Sequence, residues 1–398
     1  MKILYVINQI SDWSGDSGLV WMSAQLLKKR GHNVSITTTD GNPFTDKDSI
    51  LEYSKTTQKL SNSFNDDIII NGISIFPVHC ICSKFGMFSL NANEVAKKIV
   101  KNFDIVHIYS WYHHIGIEFF KVAKNFNVPI VFSAMGTLQD NAQTFYKTQK
   151  FLINTLYTKK LIQYASALHS VGFSEIESYL KNGGKEDKII QIDNGINLED
   201  FKLKNDCDIL KKLDMENKQY ILFLSRIHPK KGLELLLDSF NELIKINDDI
   251  NLVIAGTGEK HYFQKIINRV KNQDLINKVK FTGLISHDEK LKLFESATLF
   301  ILTSISDIHP RAIQEALTMG IPVIISKECD YPEVEQYNAG IIVNLNISEI
   351  VNAFKILLNN ESLSIISNNA KNLIKEKYLV EDQIIKFEQI YQTILSKK

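Results

Sequence analysis

Charged residues follow an apolar run in the second half of the chain. Arg226 and Lys231 come five residues apart, directly after the run Tyr220–Leu224. A guanidinium holds phosphate oxygens with two parallel hydrogen bonds, and an ammonium adds a compact positive charge. The pair is therefore suited to an anionic ligand, and a solvated basic turn is the alternative for this segment taken alone.

Two glycine turns follow the next two apolar runs. Ala255-Gly256-Thr257-Gly258 contains two glycines, which allow a ligand to approach the backbone closely. Phe281-Thr282-Gly283-Leu284 places Leu284 where it would form a wall for a nucleobase. A plain tight turn is the alternative for each segment by itself.

The fourth segment, residues 304–317, contains two acids eight positions apart, Asp307 and Glu315. A carboxylate accepts two hydrogen bonds and so suits the vicinal diol of a ribose or a sugar. Pro310 predicts a helix start here, whose first free amides, near Arg311 and Ala312, would donate to a phosphate. The alternative is a loop acid and a solvated helical glutamate.

Short apolar runs alternate with amphipathic stretches along most of the chain. This alternation predicts parallel sheets built from βαβ units, with ligands at the carboxyl ends of the strands. The predicted strands are Ile3–Ile7, Val34–Thr38, Ile73–Phe76, Ile105–Tyr109, Ile130–Phe132, Ala167–Ser170, Ile189–Ile192, Tyr220–Leu224, Leu252–Ala255, Val279–Phe281, Leu299–Leu302, Val323–Ile325 and Ile341–Val343.

Several helix ends are also predicted. Gly31 closes a helix over Leu19–Arg30, and a final helix lies near Glu381–Leu395. Capping boxes are expected where a serine precedes a glutamate by three residues, at Ser174 with Glu177 and at Ser286 with Glu289.

The composition is that of an ordinary folded protein. The 398 residues carry 46 basic and 45 acidic side chains, and 44% are hydrophobic. The apolar content excludes a disordered chain, and the balanced charge argues against nucleic acid as a partner. The length predicts two or three domains.

The cysteines and the apolar runs indicate a soluble protein of the cytoplasm. Four cysteines without paired spacing predict reduced thiols and no zinc site. The apolar run at the N-terminus is too short for a secretory signal, and no run approaches the length of a membrane span. The single Asp-x-Asp, Asp206-Cys207-Asp208, falls in a polar linker and is interpreted as surface.

The order of these motifs resembles the retaining glycosyltransferases of family 4 (glycosyl transferases group 1). The segment Glu315–Val323 is similar to the stretch that follows the second acid in that family. Similar segments occur in the first half at Ser14-Gly15, Asp104–His107, Ser133–Leu138 and Asp193–Asn197.

The resemblance implies an α/β protein of GT-B fold, with two doubly wound Rossmann-like domains facing across a cleft. An acceptor-side domain would span residues 1–197, and a domain for the nucleotide sugar would span residues 198–375. Residues 376–398 would form a helix that crosses back to the first domain.

The resemblance also implies roles for the site residues. Arg226 and Lys231 would hold the diphosphate of the donor without a metal or a cofactor, and Asp307 would face the sugar. Glu315 would bind the ribose. The remaining donor contacts would come from Gly15, Gly256, Thr257, Leu284, Arg311 and Ala312.

Some positions depart from the family pattern. Asp307 replaces a usual glutamate, Ile308 stands where glycine is common, and Tyr109 occupies the second position of a usual His-x-His. His113 and His114 follow shortly after and would take over the catalytic role, and ordinary loop histidines are the alternative.

The expected reaction is transfer of a hexose from a nucleotide sugar, with UDP or GDP as the nucleotide. The acceptor would be a saccharide or a lipid-linked molecule in surface polysaccharide or glycolipid synthesis. Residues 141–174 contain lysines and aromatic residues but no acid, so a helix there would lie on an anionic membrane or pack its aromatic residues inward. The alternatives are a non-catalytic subunit that binds nucleotide sugars and a GT-B nucleotide-sugar epimerase.

Overall fold

The computed structural model describes residues 1–10, 15–39, 68–83, 86–139, 147–203, 207–359 and 363–397. The chain divides into two compact units. One contains Met1–Gly195 together with Val380–Lys398, and the other contains Ile196–Leu379. None of the helices in the described ranges is both long enough and apolar enough to cross a bilayer.

The first unit is built on a sheet of order β10-β9-β8-β7-β1-β2-β4-β3, in which only β3 is antiparallel to its neighbour. A separate hairpin joins β5 and β6. The strands are β1 (Lys2–Val6), β2 (Asn33–Thr39), β3 (Ile68–Ile70), β4 (Ile73–Val78), β5 (Cys80–Ser83), β6 (Gly86–Ser89), β7 (Ile105–Tyr109), β8 (Ile130–Ser133), β9 (Ala167–Ser170) and β10 (Ile189–Gln191).

Helices pack against this sheet because its strands are apolar on both faces. They are α1 (Gly15–Lys29), α2 (Ala92–Ile99), α3 (His114–Asn125), α4 (Lys147–Ile153), a π-helix (Asn154–Thr158), α5 (Lys159–Tyr164) and α6 (Phe173–Lys181). The C-terminal helix, Val380–Ser396, also buries Ile384 and Tyr391 in the core of this unit.

The second unit contains a fully parallel sheet of order β13-β12-β11-β14-β15-β16. Its strands are β11 (Tyr220–Leu224), β12 (Asn251–Ala255), β13 (Val279–Gly283), β14 (Leu299–Leu302), β15 (Val323–Ser326) and β16 (Gly340–Val343). Its helices are α7 (Ile209–Lys212), α8 (Leu233–Ile244), α9 (Lys260–Asn272), α10 (His287–Ser296), α11 (Arg311–Thr318), α12 (Glu333–Gln336), α13 (Ile347–Leu358) and α14 (Leu363–Lys377), and the C-terminal helix of the first unit is then α15.

The strand order reverses at the β11/β14 pair, which are neighbours although they are not consecutive in the chain. A loop that follows β11 leads to one side of this point, and a loop that follows β14 leads to the other. In open parallel sheets such a switch point creates a crevice outside the carboxyl ends of the strands. The charged segments after β11 and β14 therefore meet where ligands bind in this architecture.

Every strand predicted from the apolar runs is present, and the sequence prediction missed β3, β5 and β6. The capping box at Ser286 and Glu289 is confirmed. The capping box at Ser174 was wrong, because α6 begins one residue earlier and Gly172 occupies the capping position. Gly31 adopts a φ of +90° just after α1, as expected of a glycine that ends a helix.

Candidate active site

A cluster of three cations lies in the loop between β11 and α8. Arg226 is exposed, while Lys230 and Lys231 are half-buried. Burial lowers the pKa of the Lys230 ammonium, Asp307 acts in the opposite direction, and the charges of Arg226 and Lys231 lower it further. Because like charges disfavour one another's protonated form, an anion bound at this cluster would relieve the repulsion.

The loop after β11 is fixed to the loop after β14. The Ile305 amide donates to the Lys230 carbonyl at 2.7 Å, and the Ser304 hydroxyl donates to the same carbonyl at 3.1 Å. Gly232 has a φ of +68°, and a Cβ there would lie 2.0 Å from the Thr303 carbonyl oxygen. Only glycine allows this approach, so the cation cluster is held rigidly beside the β14 loop.

Asp307 is brought directly to this cluster. Its carboxylate forms an ion pair with the Lys231 ammonium, whose side chain is 14% exposed against 22% for Asp307. The Ser304 hydroxyl lies 3.4 Å from the same carboxylate oxygen, and the Asp307 amide donates to the Glu328 carbonyl at 3.2 Å. An anionic ligand that binds Lys231 therefore competes with Asp307 for the ammonium.

Glu315 is buried in α11, one helix turn beyond Arg311. Its Oε1 accepts a hydrogen bond from the Lys290 ammonium at 2.7 Å and lies 3.3 Å from the Arg311 Nε. In the part of the chain that the structure describes, Oε2 accepts no hydrogen bond. The carboxylate is thus paired with two cations through Oε1, and Oε2 is left for a ligand hydroxyl. Sequence reasoning missed Lys290, which lies on a different helix.

The glycine turns complete the carboxyl edge of the second unit. Gly256 has a φ of +128°, and a Cβ there would lie 2.0 Å from the Ser225 carbonyl oxygen. The Thr257 carbonyl accepts from the Ile227 amide at 2.8 Å, so this turn is tied to the cation loop. Leu284, after β13, leaves 45% of its surface exposed, which suits a flat apolar ligand.

The predicted residues of the second unit therefore share one edge of its sheet. Arg226 and Lys231 follow β11, while Gly256 and Thr257 follow β12. Leu284 follows β13, and the loop after β14 contains Asp307 and leads to Arg311, Ala312 and Glu315 in α11. The structure links Lys231 directly to Asp307, and Arg311 directly to Glu315.

The predicted residues of the first unit are more dispersed. Gly15 is the first residue of α1, and Ser14 lies outside the described residues. His113 immediately precedes α3 at the N-cap position, without a side-chain capping hydrogen bond. Burial, with a smaller contribution from Lys150, lowers its pKa to about 4. The His114 Nε2 lies 3.8 Å from a Glu118 carboxylate oxygen. His113 is therefore a neutral imidazole at neutral pH.

A buried chain of hydrogen bonds in the first unit was not foreseen. The Ser133 hydroxyl lies 2.6 Å from His107 Nε2 and 2.6 Å from His169 Nδ1. His107 Nδ1 lies 2.7 Å from the Tyr391 hydroxyl, and His169 Nε2 lies 2.8 Å from the Ile192 carbonyl. The available signal was a histidine inside each of two apolar strands, but their proximity depends on the pairing of β7, β8 and β9.

The Ile192 carbonyl determines which atoms donate and which accept along these hydrogen bonds. A carbonyl only accepts, so His169 donates from Nε2 and its neutral Nδ1 accepts from the Ser133 hydroxyl. Ser133 then accepts from His107 Nε2, and His107 Nδ1 accepts from the Tyr391 hydroxyl. Burial lowers the pKa of both imidazoles, that of His169 to about 4, in agreement with two neutral rings. Tyr109 stacks on His107 with ring centroids 4.0 Å apart.

The acidic linker motif falls partly outside the described residues, because Asp206 is not among them, while Asp208 immediately precedes α7. Within the described ranges, no group of three or more His, Cys, Asp or Glu side chains is arranged to hold a metal ion.

Two protein families match the chain in succession. Residues 19–200 match Glycosyltransferase Family 4, and residues 208–378 match Glycosyl transferases group 1. Among curated proteins, the chain is 24% identical over 333 residues to an uncharacterized glycosyltransferase of Methanocaldococcus jannaschii, with 78% of this chain and 82% of that protein covered. It is 28% identical over 313 residues to the alpha-monoglucosyldiacylglycerol synthase of Streptococcus pneumoniae, with 75% of this chain and 64% of that protein covered.

Solved structures share the whole fold. Anabaena Alr3699/HepE, solved in complex with UDP and glucose, has a TM-score of 0.76 at 18% identity, with 99% of this chain and 100% of that chain covered. The sucrose-phosphate synthase of Thermosynechococcus elongatus has a TM-score of 0.76 at 17% identity, with 100% of both chains covered. The two Rossmann-like domains are thus those of the GT-B fold. Within that class, the chain belongs to the GT4-type glycosyltransferases.

Proposed function

We propose that the protein is a retaining glycosyltransferase that transfers a hexose from a UDP- or GDP-sugar to a saccharide or lipid-linked acceptor. The observation that carries this proposal is the cation cluster Arg226, Lys230 and Lys231, held at the switch point of a parallel sheet beside Asp307. A diphosphate brings the negative charge that relieves repulsion within this cluster.

The donor would bind along the carboxyl edge of the second unit. Arg226 and Lys231 would hold the diphosphate and stabilise the charge that develops on it as the glycosidic bond breaks. Glu315 would accept hydrogen bonds from the ribose through Oε2, and Leu284 would contact the base. Gly256 and Thr257 would border the nucleotide, and the first-turn amides of Arg311 and Ala312 would donate to it.

The sugar would lie beside Asp307. When the diphosphate draws Lys231 towards itself, the Asp307 carboxylate becomes available to accept from sugar hydroxyls. Arg226 and Lys231 would supply the charge stabilisation for which other transferases use a metal ion, so we propose that no metal is needed. Gly15, His113 and His114 would belong to the acceptor side, with the neutral His113 as the candidate proton acceptor.

The proposed setting is the synthesis of a surface polysaccharide or glycolipid in the cytoplasm, at the inner face of the cell membrane. One similarity supports this setting, because a relative in S. pneumoniae is named for glycolipid synthesis. A structural neighbour solved with UDP-glucose supports the choice of donor. We also propose domain boundaries at residues 197 and 375, with residues 376–398 crossing back to the first domain.

Calorimetric titration of UDP, GDP and ADP in the presence of EDTA tests this proposal. We expect either UDP or GDP to bind clearly more tightly than the other two nucleotides, and to bind more weakly to Glu315→Gln than to the wild type. Failure of all three to bind would contradict the donor site. NMR of the matching nucleotide sugar with an acceptor mixture would then report the anomeric configuration of the product, and inversion would contradict the retaining assignment.

The same samples separate the two alternatives. Tight nucleotide binding without transfer to any acceptor or hydrolysis of the donor would favour a non-catalytic binding subunit. A new nucleotide-sugar signal without acceptor would identify an epimerase.

A further inference from the structure

A continuous stripe of exposed side chains runs along α4, the π-helix and α5. Its members are spaced alternately one and three residues apart, as expected for one face of a helix. They are Thr148, Phe151, Leu152, Thr155, Leu156, Lys159, Lys160 and Gln163. The exposed fractions of Phe151, Leu152 and Leu156 are 69%, 55% and 48%. Large apolar side chains therefore face outward here, in contrast to an ordinary surface helix.

The charge of these helices has one sign. From Lys147 to Tyr164 the sequence contains lysines and no acid. Lys159 and Lys160 continue the stripe directly after Leu156, so the exposed face is apolar in its first half and basic in its second half. A face that combines exposed large apolar side chains with lysines is typical of helices that lie in the interface of an anionic bilayer.

The opposite face is anchored, which prevents the helices from turning their apolar residues inward. Leu161 and Ile162 are fully buried. The Thr158 hydroxyl accepts from the Trp111 indole at 2.7 Å, and Asn154 accepts from the Tyr112 hydroxyl at 2.8 Å. Since Trp111 and Tyr112 directly precede His113, the stripe is attached to the loop that contains the candidate acceptor-side histidines.

A second exposed apolar pair lies beside the same loop. Ile81 and Phe88 are cross-strand partners in the β5–β6 hairpin, and each is 52% exposed. The Phe88 ring lies 6.1 Å from that of His114, while the Lys150 ammonium, from α4, lies 5.0 Å above the Tyr112 ring. Exposed apolar side chains are thus presented by two elements that contact residues of this loop, the hairpin at His114 and α4 at Tyr112.

We propose that the surface formed by Phe151, Leu152, Leu156, Lys159 and Lys160, here called the docking surface, binds an anionic lipid bilayer. The apolar residues would insert below the headgroups and the lysines would contact lipid phosphates. If the proposed transferase function holds, on which this consequence rests, the acceptor is presented at headgroup level beside His113 and is lipid-linked rather than a free saccharide.

Vesicle sedimentation with the full-length protein tests the docking surface. The vesicles consist of phosphatidylcholine alone or with phosphatidylglycerol, at low and at high salt. We expect binding to the anionic vesicles only, weakened by salt. The Lys159→Gln/Lys160→Gln variant should bind about twenty-five-fold more weakly, at about fivefold per lysine. The Phe151→Ser/Leu152→Ser/Leu156→Ser variant should lose at least about tenfold.

Matched controls exist in the second unit. Ile246, Ile276 and Ile365 are exposed to a similar degree, at 58%, 53% and 58%, and Lys271 and Lys355 are exposed lysines. The triple Ile→Ser and double Lys→Gln control variants should bind vesicles as the wild type does. Equal binding by the control and docking-surface variants would overturn the proposal, and so would the absence of binding by the wild type.

Two further readouts separate the failure modes. Light scattering in the absence of vesicles reports on self-association. If the wild type is a dimer that the triple serine substitution dissociates, and it does not bind vesicles, the surface binds a second copy of the chain and the proposal is overturned. Nucleotide titration of the same variants reports on the donor site separately. Protein that binds UDP or GDP but no vesicles refutes only the docking surface, and protein that binds vesicles but no nucleotide supports the surface while contradicting the transferase proposal.

Discussion

Replacing Arg226 by alanine should weaken nucleotide binding without changing the stability of the fold. Arg226 is exposed, and it forms no hydrogen bond or ion pair with any described part of the chain. Removing a charged side chain that has no structural partner leaves no other polar group without its hydrogen bond. The unfolding free energy of Arg226→Ala should therefore stay within about 0.5 kcal/mol of the wild-type value.

The expected loss of affinity follows from the kind of contact. A charge-assisted hydrogen-bonding pair contributes about 1.5–3 kcal/mol, which is about 10-fold to 150-fold in Kd. Two features place the expected loss of affinity near the lower end of this range. The side chain is exposed, so salt screens its charge, and its removal eases the repulsion on Lys230, whose pKa would rise. We expect a loss of about tenfold in ordinary buffer and a larger loss at low salt.

Titration calorimetry with the preferred nucleotide measures this effect, and urea unfolding of the same samples measures stability. Arg226→Lys should be intermediate, because it keeps the charge and loses the planar fork. Lys271→Ala is the control, because it removes an exposed cation on α9 that is distant from Arg226 in the sequence. It should bind the nucleotide as the wild type does. Wild-type affinity of Arg226→Ala at low salt would refute the assignment of Arg226 to the diphosphate.

Four further variants probe the rest of the structure. Glu315→Gln should weaken nucleotide binding about tenfold or more, whereas Lys290→Gln should lower the melting temperature with a much smaller change in Kd; equal Kd changes would contradict a direct ligand contact by Glu315. Gly232→Ala should cost at least about 2 kcal/mol of unfolding free energy and abolish nucleotide binding, because the left-handed backbone and a nearby carbonyl exclude a Cβ; a stable variant with full affinity would contradict this. His169 binds a proton near pH 6.5 when unfolded but near 4 when folded, so its contribution to stability is complete above about pH 6.5 and falls by about 2 kcal/mol at about pH 5; urea titrations of the wild type and His169→Gln should show a shallower pH dependence in the variant, and identical slopes would contradict it.

The sequence predicted the parallel strands well because a strand buried on both faces is a nearly continuous apolar run. The missed strands lack this signal. β3 is a three-residue edge strand, and β5 and β6 form a hairpin outside the main sheet whose Ile81 and Phe88 are exposed. Short strands that pair locally leave little periodicity to detect.

The charged site was only partly predictable. The sequence predicts that Arg226 and Asp307 each follow a strand. The order of the strands then brings both residues to the carboxyl edge of the sheet in the second unit. The ion pair between Lys290 and Glu315 depends on how α10 approaches α11, which no local pattern records. At Ser174 the local rule failed because α6 begins at Phe173, and the neighbouring Glu175 instead accepts from the amides of Val171 and Gly136.

Residues with a strained backbone lie at the carboxyl edges of the two sheets, where the candidate site residues also lie. Among the described residues with a positive φ, most are Gly, Asn or Asp, which tolerate the left-handed region. The exceptions are Ser110, Tyr112, Met135 and His309. Each lies in the loop that follows β7, β8 or β14, at the carboxyl end of its sheet. Such conformations cost of order 1–3 kcal/mol each and persist where the surrounding structure enforces them, often at functional sites. His309, two residues after Asp307 in the same loop, shows how the strain is held, because its buried ring packs against Tyr331 with centroids 4.0 Å apart. The sheet edges at which the sequence motifs predict a functional site are therefore also the edges where packing imposes unfavourable backbone conformations. This second observation does not depend on any family resemblance.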